Sequence, residues 1–145
     1  MFRKKGFTIL ELLIVIGVIA ILVGIALPRF KGMKDEGNSA KAKGELRAIQ
    51  TAVESYYIHN ASAYPAALTN LTTAVPTIIN PVPDDPFNGT NDYSYAVSPN
   101  GTYYVIYSIG PGGAATITGI DNTGALTGSA GDDIYVSNGT STSGG

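Results

Sequence analysis

The sequence has 145 residues, a formal net charge of −2 and no cysteine. The missing thiols exclude a disulfide framework, a thiolate metal site and covalent haem attachment. Basic residues cluster only in two short groups, at 3–5 and 29–34, so nucleic-acid binding is not expected. Glycine is abundant, at 18 residues, and Ser, Thr and Asn crowd the second half. This composition is typical of turns and short strands around a small core.

An apolar run occupies residues 7–27 and contains one ionisable side chain, Glu11. At about 1.5 Å per residue, its length is enough to cross a bilayer core of roughly 30 Å. A carboxylate costs roughly 2.5–3.5 kcal/mol near the centre of such a segment. Glu11 is therefore expected to have a partner or a purpose.

Two ordinary interpretations of this run are open. A cleaved secretory signal would explain the basic start, but the run is too long, carries an acid and lacks a small-x-small cleavage site. A plain membrane anchor would tolerate Glu11, because one helical turn from the end it can reach the headgroups. Basic residues flank the run on both sides, so the positive-inside rule does not orient it. The residues taken alone favour the anchor.

A third interpretation comes from the motif Gly6-Phe7-Thr8-Ile9-Leu10-Glu11, which resembles the processing site of type IV pilins and of the pseudopilins of type II secretion. Those proteins have a basic leader ending in Gly, then usually Phe, a Glu five residues into the mature chain, and a proline after the apolar helix, here Pro28. The resemblance implies that a membrane-embedded aspartyl prepilin peptidase cuts between Gly6 and Phe7 and N-methylates Phe7. It also implies that the Phe7 ammonium of one subunit neutralises Glu11 of its neighbour, since a paired charge costs far less in a low-dielectric core.

Beyond residue 31 the apolar pattern predicts an amphipathic helix that reaches about residue 60. Apolar residues recur at spacings of three and four, the stripe of one helical face. These are Ala42, Leu46, Ile49, Val53 and either Tyr56 or Tyr57. Charged residues lie largely on the other faces, where Lys41 and Glu45 can pair. Pro28 removes one backbone hydrogen bond, so either a kink or local unwinding is expected near it.

The rest of the chain is predicted to be loop-rich and then β-rich. Four prolines in the last twelve residues of 61–87 exclude regular internal strands there. Runs at 93–97 and 102–108 flank Ser98-Pro99-Asn100-Gly101, a strong hairpin signal. A second hairpin is predicted around Asp121-Asn122-Thr123, and the Gly/Ser/Thr-rich tail 137–145 is expected to be mobile.

Several motifs of the second half resemble the major pseudopilin of the type II secretion system. They are Tyr64-Pro65, Pro83-Asp84-Asp85-Pro86-Phe87, Tyr93-Ser94-Tyr95 and Tyr104-Val105-Ile106-Tyr107-Ser108-Ile109-Gly110. The resemblance implies an α+β pilin fold, in which a long N-terminal α-helix packs on a small antiparallel β-sheet and a C-terminal loop region. The implied division is a cleaved leader 1–6, a transmembrane and filament-core helix 7–28, an amphipathic helix 29–60, a globular β-rich domain 61–136 and a flexible tail 137–145.

Calcium is the one cofactor that the resemblance raises; none is otherwise required. In those pseudopilins carboxylates and carbonyls of the C-terminal loop hold a calcium ion, which needs six to eight oxygens. Gly112 stands where that loop has a liganding Asp. Asp132 and Asp133 remain candidates, with the backbone carbonyl of Ile109. The alternative, a solvated acidic turn, stays open.

No enzyme constellation is found, since His59 is the only histidine and neither a catalytic triad nor a phosphate-binding loop appears. The resemblance implies a structural subunit that self-assembles into a helical homopolymer. The implied partners are the prepilin peptidase, an inner-membrane assembly platform and minor pseudopilins. The implied location is the bacterial inner membrane, with the C-terminal domain in the periplasm, and then a filament. A periplasmic secretion pseudopilus is expected; a surface type IV pilus is the alternative, and an anchored binding domain remains if Gly6 is never cleaved.

Overall fold

The structure, a computed structural model, describes residues 6–141 and 143–145. Residues 1–5 of the predicted leader, and position 142 in the predicted mobile tail, lie outside the described residues. The chain divides into two compact units, Met1–Glu36 and Gly37–Gly145.

The longest element is helix α1, Ile9–His59, which contributes residues to both units. In the first unit, α1 continues through Pro28 without a break. The single chain therefore has no unwound turn at Pro28. A proline costs one backbone hydrogen bond but has a helical φ, so neighbouring turns can hold the helix together. A kink, and unwinding within a filament, stay predictions.

In the second unit, one stripe of α1 supplies the core. Its buried residues are Ala42, Leu46, Ile49, Ala52 and Val53. Four of these were predicted from the spacing of apolar residues, and Tyr56 is partly buried against the same core. The predicted ion pair between Lys41 and Glu45 also forms, with 3.7 Å between Nζ and Oε1. The amphipathic helix is thus confirmed.

In the part of the chain that the structure describes, six short strands form two antiparallel sheets. They are β1 Ser94–Val97, β2 Tyr104–Ser108, β3 Ile117–Ile120, β4 Leu126–Gly128, β5 Ile134–Ser137 and β6 Ser143–Gly144. The larger sheet has the order β1-β2-β5-β6, and β3 pairs with β4 in a separate hairpin. Both predicted hairpins are present. In the first, the Gly101 amide donates to the Ser98 carbonyl at 2.8 Å, and Gly101 has φ +70°, which glycine adopts without strain.

The central strand β2 is buried on both faces. Tyr104 and Ile106 join the cluster that contains the α1 stripe, whereas Val105 joins a second cluster with Ile117 and Ile120 of β3. This alternation follows from the two-residue period of a strand. The second unit therefore has three layers: helix, sheet and hairpin. The α+β pilin fold with a helix on a small antiparallel sheet is confirmed.

Three elements were not predicted. Strand β5, Ile134–Ser137, lies inside the larger sheet, although no strand was expected over these residues. A five-residue helix α2, Thr69–Thr73, lies in the segment expected to be only loop, and Leu71 from it is fully buried. The tail 137–145 is also not entirely irregular, because Ser137 belongs to β5, and Ser143 and Gly144 pair with Val136 and Tyr135. Its mobility stays a prediction.

Candidate functional site

The N-terminal part of α1 presents apolar side chains on every face. Each large apolar residue from Phe7 to Phe30 is exposed, with between 47% and 86% of its surface accessible. α1 is also the one helix among the described residues that is long and apolar enough to cross a membrane. Such a surface is unstable in water, so lipid or other protein chains must cover it.

Glu11 occupies the first turn of α1 and forms a reciprocal cap with Thr8. The backbone N–H and the hydroxyl of Thr8 each donate to Glu11 Oε2 at 3.0 Å. The Glu11 N–H in turn donates to Thr8 Oγ1 at 3.2 Å. This arrangement is a capping box, in which a Thr and a Glu three residues later satisfy each other's helix-start amides. Sequence reasoning found Glu11 but missed Thr8, although the Thr-x-x-Glu spacing was visible.

The predicted cleavage junction precedes the helix. Gly6 and Phe7 are exposed and lie outside regular structure, and Phe7 has 83% of its surface accessible. A peptidase binds its substrate in an extended form, so a junction just before a helix start meets that requirement. The structure places Phe7 one residue before the cap that holds Glu11.

The predicted acidic pair lies between β4 and β5, and its two members differ. Asp133 is fully buried, and its Oδ2 accepts from the Thr116 N–H at 2.7 Å, the Ile117 N–H at 2.7 Å and the Thr116 hydroxyl at 3.1 Å. Asp132 is exposed, and its Oδ2 accepts a short hydrogen bond from the Gly112 N–H. Ile109 is held by another carboxylate, because its N–H donates to Asp85 Oδ2 at 3.0 Å.

The arrangement of Asp132, Asp133 and Gly112 is a poor match to the ligands that a calcium ion requires. Asp133 Oδ1 is a buried oxygen without a hydrogen-bond partner, as a cation ligand would be. The other donors do not fit, however. Asp132 directs an oxygen at an N–H group, Gly112 offers no side chain, and no group of three or more acidic, His or Cys side chains converges in the described part of the chain. The side chains at this place do not by themselves supply the six to eight oxygens that calcium takes.

Three buried polar contacts escaped sequence reasoning. Asp85 is buried and accepts from the Ser108 hydroxyl at 2.7 Å as well as from two backbone amides. Two tyrosine hydroxyls of the sheet region donate to carboxylates of α1: Tyr93 to Glu45 at 2.7 Å, and Tyr104 to Glu54 at 2.6 Å. Burial first, and then the hydrogen bond to the carboxylate, raises the pKa of both tyrosines.

A long helix with an apolar, capped N-terminal part and an amphipathic part packed on an antiparallel sheet defines a pilin-like subunit. Comparison with known families narrows this class. The prokaryotic N-terminal methylation motif matches residues 1–27, and the family described as type II secretion system (T2SS), protein G, matches residues 29–123. The chain therefore belongs to the type II secretion system protein G family, whose members are structural pseudopilin subunits.

Individual relatives agree with this assignment. Type II secretion system core protein G of Pectobacterium carotovorum subsp. carotovorum is 29% identical over 126 residues, which cover 77% of this chain and 79% of the relative. The core protein G of Klebsiella pneumoniae is 29% identical over 125 residues, covering 77% and 87%. The type IV narrow pilus major component PilA5 of Thermus thermophilus is 48% identical, but over 50 residues that cover 34% of this chain and 43% of that protein. No solved structure matches the chain significantly.

Proposed function

We propose that this chain is the major pseudopilin of a type II secretion system and builds a periplasmic filament that serves protein export. The observation that carries the proposal is the match to protein G over residues 29–123. These residues include the first two strands of the larger sheet and the first part of the β3–β4 hairpin, whereas the methylation motif covers only residues 1–27. The chain acts mechanically in this proposal and catalyses no reaction.

Maturation begins at the exposed junction before α1. Prepilin peptidase hydrolyses the Gly6–Phe7 amide bond on the cytoplasmic side, and the new α-amino group of Phe7 is then methylated. The match of residues 1–27 to the methylation motif supports this step. So does the position of Gly6 and Phe7 outside the helix, where no hydrogen-bonded turn has to unfold before cleavage.

Glu11 guides assembly in this proposal. Before assembly the apolar part of α1 lies in the inner membrane, and Thr8 supplies two donors to Glu11 Oε2. During assembly the Phe7 ammonium of a second copy pairs with the same carboxylate. Ion pairing in a low-dielectric environment favours the axial register that brings the two groups together. The apolar surface that lipid covered is then covered by neighbouring subunits in a helical homopolymer.

The inner-membrane assembly platform and minor pseudopilins are the further partners in this proposal. Pro28 belongs to the segment that packs in the filament core.

A surface type IV pilus remains the second candidate. The likeness to PilA5 over 50 residues favours it, because that relative is a major component of a pilus. The glycine at position 112 and the additional β3–β4 hairpin also differ from the secretion pattern. If deletion of the gene abolishes the secretion of enzymes but leaves surface fibres intact, the secretion role is favoured. If the deletion abolishes surface fibres but leaves secretion intact, the pilus role is favoured.

The test compares Glu11→Ala with a matched control, Glu36→Ala, in the source cells. Glu36 is an exposed glutamate of the same helix that lies outside the apolar run. We expect Glu11→Ala to be cleaved normally, as read from its N-terminal mass, and to form no filaments and export no cargo. The control should assemble and secrete. Normal filaments with Glu11→Ala would contradict the charge-pairing account, and normal secretion after deletion of the gene would contradict the proposed function.

A further inference from the structure

Two loops meet at one end of the larger sheet. The glycine loop, residues 110–113, follows β2, and the acidic turn, residues 131–133, precedes β5. Because β2 and β5 are antiparallel neighbours with Ser108 opposite Ile134, the end of one strand lies beside the start of the other. The same place also receives the start of β3, since only three residues separate the glycine loop from Ile117. Contacts made here therefore join the start of β5 to the segment that leads from β2 to β3.

We propose that the acidic turn locks this loop region directly, through carboxylate-to-amide hydrogen bonds and without a metal ion. Asp132 binds the glycine loop through the Gly112 N–H. Asp133 binds the start of β3 through the N–H groups of Thr116 and Ile117 and the Thr116 hydroxyl. Two adjacent carboxylates thereby tie β5 to the two segments that lead out of β2. Hydrogen bonds to ionised acceptors are about twice as strong as neutral ones, so four such bonds form an effective clamp.

The glycine loop and the acidic turn can touch directly because glycines 110 and 112 have no side chains. A Cβ atom at position 112 would lie 2.5 Å from Asp132 Oδ2, so the carboxylate occupies the space of a side chain there. At Gly110 a Cβ atom would lie 2.1 Å from the Asp132 carbonyl oxygen, and φ is +63°. Both loops therefore approach at backbone distance. A liganding side chain at position 112 would need that space, and a cation between the loops would have to displace the Gly112 amide from Asp132.

The main alternative to a direct lock is a calcium ion bound at Asp133 Oδ1. This oxygen is buried and unpartnered, and a calcium ion could use it if other groups supplied the remaining oxygens. If that happened, calcium would stabilise the fold. If the lock is direct, calcium would have no effect, and stability would depend only on the hydrogen-bond acceptors and on the space at Gly112.

The experiment measures thermal unfolding of the full chain in detergent micelles, followed by the near-ultraviolet circular dichroism of its tyrosines. The unaltered chain is compared in a calcium chelator and in millimolar calcium chloride. We expect the same unfolding midpoint within about 1 °C, which is the precision needed to resolve a fraction of a kcal/mol. A midpoint that calcium raises, and that Asp132→Ala or Asp133→Asn returns to the chelator value, would overturn the proposal.

Variants at the contact separate a direct lock from a solvated turn, with every measurement made in chelator. Gly112→Ala should lower the midpoint by several degrees, whereas the matched control Gly44→Ala should not, because nothing lies within 4 Å of a Cβ atom there. Asp132→Asn should keep most of the stability, since its amide oxygen still accepts from Gly112, and Asp132→Ala should lose it. Unchanged midpoints for both Gly112→Ala and Asp132→Ala would overturn the proposal.

Discussion

The adjacent carboxylates Asp84 and Asp85 show how a single residue decides the stability of a loop. Asp84 is exposed, whereas Asp85 is 1% accessible and accepts three hydrogen bonds. Two of those bonds, from Ser108 and Ile109, tie the proline-rich segment to the end of β2. Residues 83–87 predict a turn but do not show which acid points inward, because that depends on Ser108 and Ile109, more than twenty positions away.

Asp84 serves as a control for Asp85, because it is a neighbouring aspartate that is exposed to solvent. Asp85→Ala removes the acceptor from a buried hydroxyl and two amides, so we expect a loss of roughly 3 kcal/mol in the free energy of unfolding. Asp84→Ala should stay within about 0.5 kcal/mol, as exposed substitutions do. Denaturant unfolding of the full chain in detergent measures both. Equal effects of the two substitutions would show that Asp85 is not held as the structure describes.

The contact between Thr8 and Glu11 differs from that of Asp85, because its partners are close together in the sequence. Their capping box could be found from the sequence, because its spacing is local and its chemistry is fixed. The donors to Asp132 and Asp133 could not, because they come from residues about 16 to 20 positions away. Local motifs are readable from the sequence, whereas polar partners brought together by the fold are not.

At the scale of elements, the amphipathic part of α1 was predictable because a 3.6-residue period leaves a clear stripe. The hairpins were predictable from their turn residues. Strand β6 was not, since Ser143 and Gly144 have little β-propensity and pair only through backbone groups at the free edge of β5. Helix α2 has five residues, too few to show a period.

The stripe should dominate the stability of the second unit. Leu46 is fully buried, so Leu46→Ala is expected to cost about 2–5 kcal/mol through lost apolar contact and the cavity it leaves. Ile58 lies on the same helix but is 75% accessible, and Ile58→Ala should cost less than about 0.5 kcal/mol. Denaturant midpoints of the two variants give the comparison. A costly Ile58→Ala would mean that this face is covered within the monomer.

The two tyrosine–carboxylate contacts between α1 and the sheet region should make stability fall at high pH. Burial and the hydrogen bonds to Glu45 and Glu54 raise the pKa of Tyr93 and Tyr104 above the value near 10 of an unfolded chain. Above pH 10 the unfolded chain therefore releases these protons first, and ionisation favours unfolding.

We accordingly expect a constant free energy of unfolding from about pH 8 to 10, set by the unfolded tyrosine pKa, and a decline above that range. The double variant Tyr93→Phe with Tyr104→Phe should be less stable at neutral pH because it lacks both hydrogen bonds. Its decline above pH 10 should also be shallower. An equally steep decline in the double variant would contradict the assignment of the effect to these two phenols.

At the scale of the whole molecule, two different demands act on one chain. The second unit buries its apolar stripe within itself, whereas the apolar part of α1 leaves every large side chain exposed. Folding of the single chain covers the apolar stripe of the second unit. The apolar surface at the start of α1 can be covered only by lipid or by other copies of the chain. The amino-acid sequence already carries this contrast, because a continuous apolar run at 7–27 precedes a striped one. The filament role is what the resemblance of Gly6–Glu11 to a prepilin processing site implies. The choice between secretion and surface fibre needed the match over the globular residues.

The most direct test of this account takes the protein from the source cells at native expression. Cells are sheared, and the N-terminal mass of the protein is measured in the envelope and in the extracellular fibre fraction. The account predicts a processed subunit that begins at methylated Phe7 and stays in the envelope. An unprocessed chain that keeps Gly6, or an abundant processed subunit in the extracellular fibres, would contradict it.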